Sequence, residues 1–391
     1  MKNKEGWIKK RFDEVFDLQM GRTPSRDNKQ YWTNGQFKWI SIADLKNQKY
    51  INSTKECITE LAVSESGIKP IPANTVIMSF KLSIGKTAIT KECIFSNEAI
   101  MAFHLKKGYE IIPEYFYYYL NSYDWGTMNR AVMGQTLNKA TISGKRIIIP
   151  PLPTQNQIVS ELDALSDIIS KKKQQLEELD KLAQATFYDM FGDPVTNEKG
   201  LTVKNLGEIC EITSSKRIYA EEYQQEGIPF YRSKEIIEKG KKKPISLELF
   251  ISNERYNEIK NKFGIPEIGD ILMTAVGTIG EIWVVDTDSP FYFKDGNIVW
   301  LKMNKSNNST YFLFVLGLLV KEYKAKMANG AAYSALTIVN LKNMNVVFPE
   351  LDIQNQFATK IELIEKQKSL INQSIGDVQQ LFDYTMDKYF N

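Results

Sequence analysis

The sequence is poor in the residues that enzymes most often use for metal binding and nucleophilic catalysis. Its 391 residues include one histidine, His104, and three widely separated cysteines, Cys57, Cys93 and Cys210. A lone imidazole cannot build a metal cluster, and three scattered thiols favour neither a disulfide framework nor a zinc site. His104 lies in an alternating apolar run, where we expect a structural histidine. The sequence also lacks the glycine-rich loops that bind nucleotide phosphates, so we predict no catalytic residue, cofactor or metal in this chain.

Long hydrophobic runs and a strong charge imbalance are also missing. The longest apolar stretch, 311–320, is about half a membrane span, and we interpret it as a buried helix or strand. The first ten residues are polar, unlike a signal peptide, so we expect a cytoplasmic protein without a membrane partner. The net charge of +3 permits an anionic partner only if basic residues cluster on one face.

What the sequence does have is a repeat on the scale of a domain. A motif of a proline, a leucine and a Gln-Asn-Gln triplet occurs twice, 199 residues apart: Pro150, Leu152 and 155–157, then Pro349, Leu351 and 354–356. Upstream, Met78-Ser79 with Ser83-Ile84-Gly85 returns as Met273-Thr274 with Thr278-Ile279-Gly280. Solenoid periods are about 20 to 50 residues, so this repeat indicates a duplicated domain followed by a duplicated helix.

The pattern of short apolar runs divides the chain into four segments. We predict a first domain at 1–150, a helix at 151–192, a second domain at 193–349 and a second helix at 350–391. Strand-like runs in the two domains lie at 37–42, 75–80, 99–105 and 146–149, and at 229–232, 270–274, 281–285 and 299–303. A helix with a proline at its start is predicted at about 113–122. The turn-forming residues Asp193-Pro194 and Lys199-Gly200 mark the join between the halves.

Both predicted helices carry an apolar seam in steps of four and three residues. The seam positions are 158, 162, 165, 169, 172, 176, 179, 183, 186 and 190, and then 357, 361, 364, 368, 371, 375, 378, 382, 385 and 389. Eight of the ten positions in each helix are apolar, counting Ala183, which is typical of a coiled coil. The alternative is that each helix packs on its own domain. Thr154 and Gln157 suggest a capping box at the first helix.

The sequence resembles the specificity subunit of type I restriction-modification systems, commonly called HsdS. The resemblance covers essentially the whole chain and rests on the order of several short motifs rather than on any one of them. They are Trp7 with Phe12 and Val15, 21–25 with 31–32 and 39–40, 83–86, 134–138, 147–152 with 155–157, and 190–194.

The resemblance implies a fold class as well as a function. The fold is α+β, with two similar mixed α/β target recognition domains joined by two long helices, packed as a pseudo-two-fold-symmetric antiparallel coiled coil. Each domain would read one half of a bipartite site in double-stranded DNA. The family's subunit is not an enzyme; it recruits adenine-N6 methyltransferase subunits, which carry S-adenosylmethionine, and restriction subunits. Gln135, Lys81 and Lys86 align with Ala331, Val276 and Glu281, so the two halves of the site are expected to differ.

DNA contacts are expected from basic, hydroxyl and amide side chains in loops. In the first domain the candidates are Arg22, Thr23, Ser25, Arg26, Lys81, Ser83, Lys86, Gln135, Asn138 and Lys139. In the second domain they are Lys216, Arg217, Arg232, Ser233, Lys234, Tyr333 and Ser334. Each of these could instead be a solvated surface charge or a turn residue. Trp32 and Trp39 are expected in the core rather than stacked on bases.

Two other functions remain open on the sequence alone. One is the same architecture serving a methylation-only or other phage-defence complex. The other is a scaffold whose repeats bind protein and whose coiled coil spaces them. The different polar loops in the two copies favour DNA reading, because a scaffold for two equal partners has no reason to differ there.

Overall fold

The computed structural model describes residues 6–46, 48–123, 125, 137–194, 196–304, 307–328 and 335–390. The elements of the first domain and the helix after it are, in chain order, β1 (Ile8–Arg11), α1 (Phe12–Val15), β2 (Phe16–Met20), β3 (Phe37–Ile40), β4 (Tyr50–Ile51), β5 (Glu56–Ile58), α2 (Glu60–Ser66), β6 (Val76–Ser79), β7 (Thr87–Thr90), β8 (Phe95–Ser96), β9 (Ile100–Leu105), α3 (Pro113–Ser122), α4 (Lys139–Ser143), β10 (Arg146–Ile149) and α5 (Leu152–Phe191).

The second domain repeats this order with small changes. Its elements and the last helix are β11 (Val203–Asn205), α6 (Leu206–Ile209), β12 (Glu211–Thr213), β13 (Ile228–Tyr231), α7 (Ser233–Gly240), β14 (Phe250–Ile251), α8 (Asn253–Phe263), β15 (Ile271–Thr274), β16 (Ile282–Val284), β17 (Tyr292–Phe293), β18 (Ile298–Lys302), α9 (Ser309–Ala328), α10 (Ile338–Lys342), β19 (Asn345–Val347) and α11 (Leu351–Phe390). The apolar stretch 311–320 lies inside α9, so it is a helix rather than a strand.

The sheets of the two domains share one topology. In the first domain the strand order is β2-β9-β6-β7-β4, and in the second it is β12-β18-β15-β16. A three-stranded sheet accompanies each, β5-β3-β8 and β14-β13-β17, with one antiparallel and one parallel pairing in both. The first domain adds β4 beside β7, whereas α7 packs against β16 in the second. The domain duplication predicted from the repeated motifs is confirmed.

In each domain the first strand pairs with the last strand. Strand β1 pairs antiparallel with β10, with Ile8 opposite Ile149, and β11 pairs antiparallel with β19, with Val203 opposite Val347. The chain therefore enters and leaves each domain at one place, and the second strand of each pair leads directly into a long helix. A buried tyrosine ties the preceding helix to the same strand, since the Tyr115 hydroxyl donates to the carbonyl of Ile148 at 2.6 Å.

The repeated Gln-Asn-Gln motif has a packing role that is nearly the same in both copies. The side chain of Gln155 is fully buried; it accepts from the backbone N–H of Ile112 at 2.9 Å and donates to the carbonyls of Glu110 and Pro150, each at 2.9 Å. Gln354 is equally buried and bonds in the same way to the N–H of Asn308 and the carbonyl of Pro349. Buried polar groups are costly unless paired, so each glutamine fastens the start of a long helix to the domain before it.

The seam predicted for the long helices is confirmed, because all twenty positions are buried or partly buried. The two helices run antiparallel. The Lys368 ammonium lies 2.8 Å from Asp180, and the rings of Phe357 and Phe187 contact each other. Residue numbers therefore rise along α5 in the direction in which they fall along α11. The alternative, that each helix packs on its own domain, also holds in part, since Ile158 and Leu162 of α5 lie in the core of the first domain.

The predicted capping box at the first helix is wrong. Helix α5 begins at Leu152, which places Thr154 in its first turn, where its N–H bonds to the carbonyl of Pro151 at 2.9 Å. Pro153 is compatible with this earlier start because the N–H groups of a first helical turn have no intrahelical acceptor.

The chain forms two compact units. One contains the chain up to Gln174 together with the residues from Asn372 onward, and the other contains Gln175–Ile371. The division falls inside α5 and α11, so each unit holds one domain and a part of both long helices. The four segment boundaries expected from the sequence are not tested by this division and stay a prediction.

Candidate nucleic-acid interface

The loop after β2 carries the first group of predicted DNA contacts, and backbone contacts hold it. The N–H of Gly21 bonds to the carbonyl of Ile100 at 3.2 Å, and the N–H of Arg22 bonds to the carbonyl of Ser96 at 2.7 Å. A Cβ atom at Gly21 would lie 2.2 Å from the carbonyl oxygen of Asn97. Only glycine allows this approach, and the loop must turn outward at Arg22, whose side chain is exposed.

Two tryptophans shape the same loop from beneath. The indole N–H of Trp39 donates to the carbonyl of Arg22 at 3.1 Å, and that of Trp32 donates to the carbonyl of Ser25 at 3.0 Å. Trp39 is buried and Trp32 is half-buried, with their rings in edge contact. Both therefore support the loop.

Arg26 is held by partners within the protein. Its guanidinium stacks 3.7 Å above the ring of Trp32 and makes two bonds to the carboxylate of Glu56, at 2.5 and 3.0 Å. The bond to Glu56 raises the pKa of Arg26 and lowers that of the carboxyl. A guanidinium with these partners has less to gain from a phosphate, so its role in DNA binding stays a prediction.

The second predicted group lies on the β6–β7 hairpin, and Glu98 connects it to the first. The hydroxyl of Thr23 donates to Glu98 at 2.5 Å. That hydrogen bond, with smaller contributions from the charges of Lys81 and Arg26, holds the pKa of Glu98 below its usual range. Residues more than fifty positions apart in the sequence therefore share one electrostatic environment.

The hairpin itself is built identically in the two domains. In the first, the N–H of Ser79 bonds to the carbonyl of Lys86 at 2.8 Å, and the Ser79 hydroxyl bonds to the carbonyl of Ser83 and the N–H of Lys86. Thr274 makes the corresponding bonds to residues 278 and 281 in the second. The repeated Ser/Thr-Ile-Gly sequence is thus a strand-turn motif. It leaves Ser83 and Lys86 exposed at the tip.

The third predicted group lies at the start of α4, where Lys139 is exposed. The side-chain oxygen of Asn138 caps this helix by accepting from the N–H of Thr141 at 2.8 Å. Asn138 would have to give up the cap to read adenine with both of its side-chain groups, so that role stays a prediction. Gln135 lies outside the described residues.

The structure brings Arg22 and Lys139, 117 positions apart, to one open groove of about 520 Å³. Its lining also includes Asp17, Gln19, Lys69 and His104. Within the described part of the chain neither Arg22 nor Lys139 has an ion pair, which leaves both cations available to an anion.

In the second domain the predicted cations mostly have partners. Arg217 pairs with Asp295 at 2.9 Å, and the ammonium of Lys216 lies 4.4 Å from the ring centre of Phe263. Ser233 is the first residue of α7. Tyr333 and Ser334 lie outside the described residues.

Arg232 and Lys234 belong to a surface ion network. Both bind the carboxylate of Glu248, at 2.8 and 2.9 Å, and Arg232 also binds the buried carboxylate of Glu235. The hydrogen bonds from Lys234 and Arg232 lower the pKa of Glu248. Both cations are already partly neutralised, so their predicted contacts with DNA remain untested.

A second groove, with a volume of about 380 Å³, lies in the second domain. Its lining includes Ile338 at the start of α10, as that of the first groove includes Lys139 at the start of α4, but it also reaches the turn after β15, which does not line the first groove. Its lining includes Ala275, Val276, Ile338 and Val339, and Val339 is 66% exposed. The lining is mostly apolar, although it also includes Ser214, Ser215 and Asp295.

Comparison with known proteins identifies this architecture. The model of the family described as "Type I restriction modification DNA specificity domain" matches residues 4–181 and 198–380, once for each half of the chain. The chain belongs to the type I restriction modification DNA specificity family. The type I restriction enzyme MjaIX specificity subunit of Methanocaldococcus jannaschii is 28% identical over 92% of this chain and 87% of its own length.

Solved structures agree in fold. The S subunit of a type I restriction-modification system from M. genitalium aligns over 100% of this chain and 98% of its own, with a TM-score of 0.51 and 16% identity. A chain solved in a study of complex assembly and conformational transition of the type I R-M system aligns over 100% and 99%, with a TM-score of 0.60 and 17% identity. The predicted family and fold class are confirmed, and as a member of this specificity family the chain acts in DNA sequence recognition.

Sequence reasoning missed part of the groove in this specificity subunit. Gln19, on β2, faces His104 on β9 with 3.1 Å between the amide oxygen and Nε2, and its amide nitrogen donates to the carbonyls of Lys69 and Pro70, each at 3.2 Å. Burial lowers the pKa of His104. Lys69 and His104 are 50 and 85 positions from Gln19 in the sequence, so only the tertiary structure reveals the set.

Two further observations describe the specificity subunit as a whole. Within the ranges described above, no group of three or more His, Cys, Asp or Glu side chains is placed to hold a metal ion. Over the same residues, none of the helices combines the length and apolarity needed to cross a membrane.

Proposed function

We propose that this chain is the DNA-specificity subunit of a type I restriction-modification complex and that it reads an asymmetric bipartite site, one half with each domain. The observation that supports the proposal is that each domain has its own groove and that the two linings differ in chemistry. The first lining includes Arg22, Lys69 and Lys139 with Asp17, and the second includes Val276 and Val339 with Asp295. Arginine and lysine suit guanine and phosphate, whereas valine suits the methyl group of thymine. Two such linings would select different bases.

The helices α5 and α11 supply the connection between the two readers. Each helix is continuous over forty residues and most of its seam positions are apolar, and a continuous helix resists bending. We infer that the two halves of the site are separated by a fixed number of unread base pairs. A variable gap in the recognised sequence would contradict this assignment.

The chemistry of modification would belong to partner subunits. The chain would recruit adenine-N6 methyltransferase subunits, which bind S-adenosylmethionine, and restriction subunits that cut DNA. MjaIX is named as a restriction enzyme whose specificity subunit matches this chain, which supports a place in such a complex. The role of this chain would be to choose where those subunits act.

The test is single-molecule methylation sequencing of DNA from cells that express this chain together with its neighbouring methyltransferase gene. We expect a split, asymmetric motif with modified adenine in both halves. Cells that express the methyltransferase gene alone are the control and should show no such motif. Absence of any motif, although the complex has been purified intact, would overturn the proposal and favour a protein-binding scaffold.

A further inference from the structure

The tip of the β6–β7 hairpin holds a leucine whose side chain is not buried and whose backbone conformation is unfavourable. Leu82 is 94% exposed and has a backbone φ of 62°. Left-handed backbone is unfavourable for a residue with a branched side chain, and an exposed leucine contributes no burial. Strained residues that the surrounding structure holds in place cluster at ligand-binding sites.

The repeat shows that the turn does not need a leucine. Gly277 occupies the equivalent position in the second domain, with a φ of 75°. The hydrogen bonds that close the two hairpins are the same, since Gly85 bonds to the carbonyl of Ser79 at 2.9 Å and Gly280 bonds to that of Thr274 at 2.7 Å. Glycine adopts this conformation without strain, so the leucine must be explained by something outside the turn.

The hairpin is supported from behind. Gly85 packs against the indole of Trp125, where an added Cβ atom would be only 3.1 Å from the ring. Trp125 in turn stacks near Tyr123 and donates its N–H to the carbonyl of Leu120 at 3.0 Å. The turn is therefore packed against aromatic side chains on one side, while Leu82 points to solvent, as a side chain that enters a partner must.

The surroundings of the tip favour DNA as that partner. Lys81 precedes Leu82, and the exposed Lys86 follows within the same turn. The charge of Lys81 contributes to lowering the pKa of Glu98, whose carboxylate accepts a hydrogen bond from Thr23 in the loop after β2. An apolar side chain between two cations is complementary to DNA, because the apolar group can contact stacked bases while the cations contact the phosphates on either side.

We propose that Leu82 is a wedge that enters the half-site read by the first domain and partly unstacks one base step. This inference rests on the proposed function. Leucine is among the apolar side chains that proteins insert between base pairs, with a kink as the result. Lys81 and Lys86 hold the phosphates on either side. The unstacked step lowers the cost of extruding an adenine for a partner methyltransferase, because such enzymes act on bases outside the stack.

The experiment uses the complex of this chain with its methyltransferase subunit and a duplex that carries the motif found by methylation sequencing. The fluorescent adenine analogue 2-aminopurine is placed in turn along each half of the motif. We expect the wild-type complex to raise its fluorescence at one step of the first half. The variant Leu82→Gly should abolish that rise and bind the duplex about tenfold more weakly, with an unchanged or higher melting temperature because glycine suits the turn.

Two further variants serve as controls. Leu82→Met should keep most of the fluorescence change, because methionine is also apolar and of similar length. Leu105→Ala removes another exposed leucine, at the far end of β9, and should leave both fluorescence and affinity as in wild type.

The outcomes separate this inference from the proposed function. If Leu82→Gly unstacks the step as the wild type does, the wedge is wrong and the proposed function stands. If Leu82→Gly weakens binding although the wild type gives no fluorescence change, the leucine contacts a groove without insertion, and the wedge is again wrong. If the wild-type complex neither binds nor methylates DNA, the proposed function fails and the wedge fails with it.

Discussion

The grooves of the two domains share part of their frame and are lined differently. Each lies where the strands β2 and β9, or β12 and β18, meet a short helix whose first residue faces the groove. That residue is Lys139 in the first domain and Ile338 in the second. The caps that start the two helices are equivalent, with the side chain of Asn138 or Thr337 accepting from the N–H three residues on.

The difference shows at which positions a side chain can change without disturbing the fold. Residues that make the frame keep their chemistry in both copies because each satisfies a buried polar group, as Ser79 and Thr274 do in the hairpins. Residues that line the grooves make few such bonds, so their side chains can change without cost to the frame. Lys139 and Ile338 illustrate this freedom, since a cation and an apolar side chain begin equivalent helices and line the two grooves.

The largest effect is expected from exchanging a whole domain. Replacing residues 1–150 by the corresponding segment of another member of the family should change one half of the methylated motif completely and leave the other half intact, because each groove is built within its own domain. Methylation sequencing of the chimaera measures this directly. A change in both halves would break the comparison, since it would mean that the grooves are not independent readers.

A smaller effect is expected from the buried glutamines. Gln155→Leu strands three polar backbone groups and should cost about 3 kcal/mol, whereas Gln354→Leu strands two and should cost about 2 kcal/mol. Hydrogen exchange measured by mass spectrometry, on peptides from α3 and α9, compares the two sites. The exposed Gln157 offers a matched control, and Gln157→Leu should change stability by less than about 0.5 kcal/mol. Equal losses for Gln155 and Gln157 would contradict the fastening role.

The smallest effect is expected from a single groove cation. Lys139→Ala should weaken DNA binding severalfold for all sequences and reduce the slope of log affinity against log salt by about 1, because one phosphate contact is lost. Ile338→Ala, at the matching place, should leave the salt slope unchanged. Fluorescence anisotropy titrations over a range of salt concentrations measure both. If Lys139→Ala altered only sequence preference, Lys139 would contact a base instead of a phosphate.

Much of the fold could be predicted from local patterns. The helix at 113–122 coincides with α3, and the strand at 146–149 coincides with β10. Short strands such as β4, of two residues, carry no pattern of their own and depend on pairing with β7. The helix predicted at 151–192 coincides with α5, whereas the capping box predicted at Thr154 was wrong because Thr154 lies inside the first turn.

The candidate site divides in the same way. The three loop groups in the first domain could be found in the sequence because cations, hydroxyls and amides cluster there. Which of these cations remain without an ion pair could not be found, since the pairing of Arg26 with Glu56 joins residues 30 positions apart.

The sequence by itself determined the duplication, the helical seam and the positions of most strands along the chain, because these follow from periodic patterns and repeated motifs that neighbouring residues carry. Only the tertiary structure decided that Arg22 and Lys139 share a groove, that Arg232 and Lys234 are held by Glu248, and that Leu82 stands exposed at a strained turn. These properties depend on distances between remote residues and on what solvent can reach. Both arise only when the strands pair and the side chains compete for the same partners.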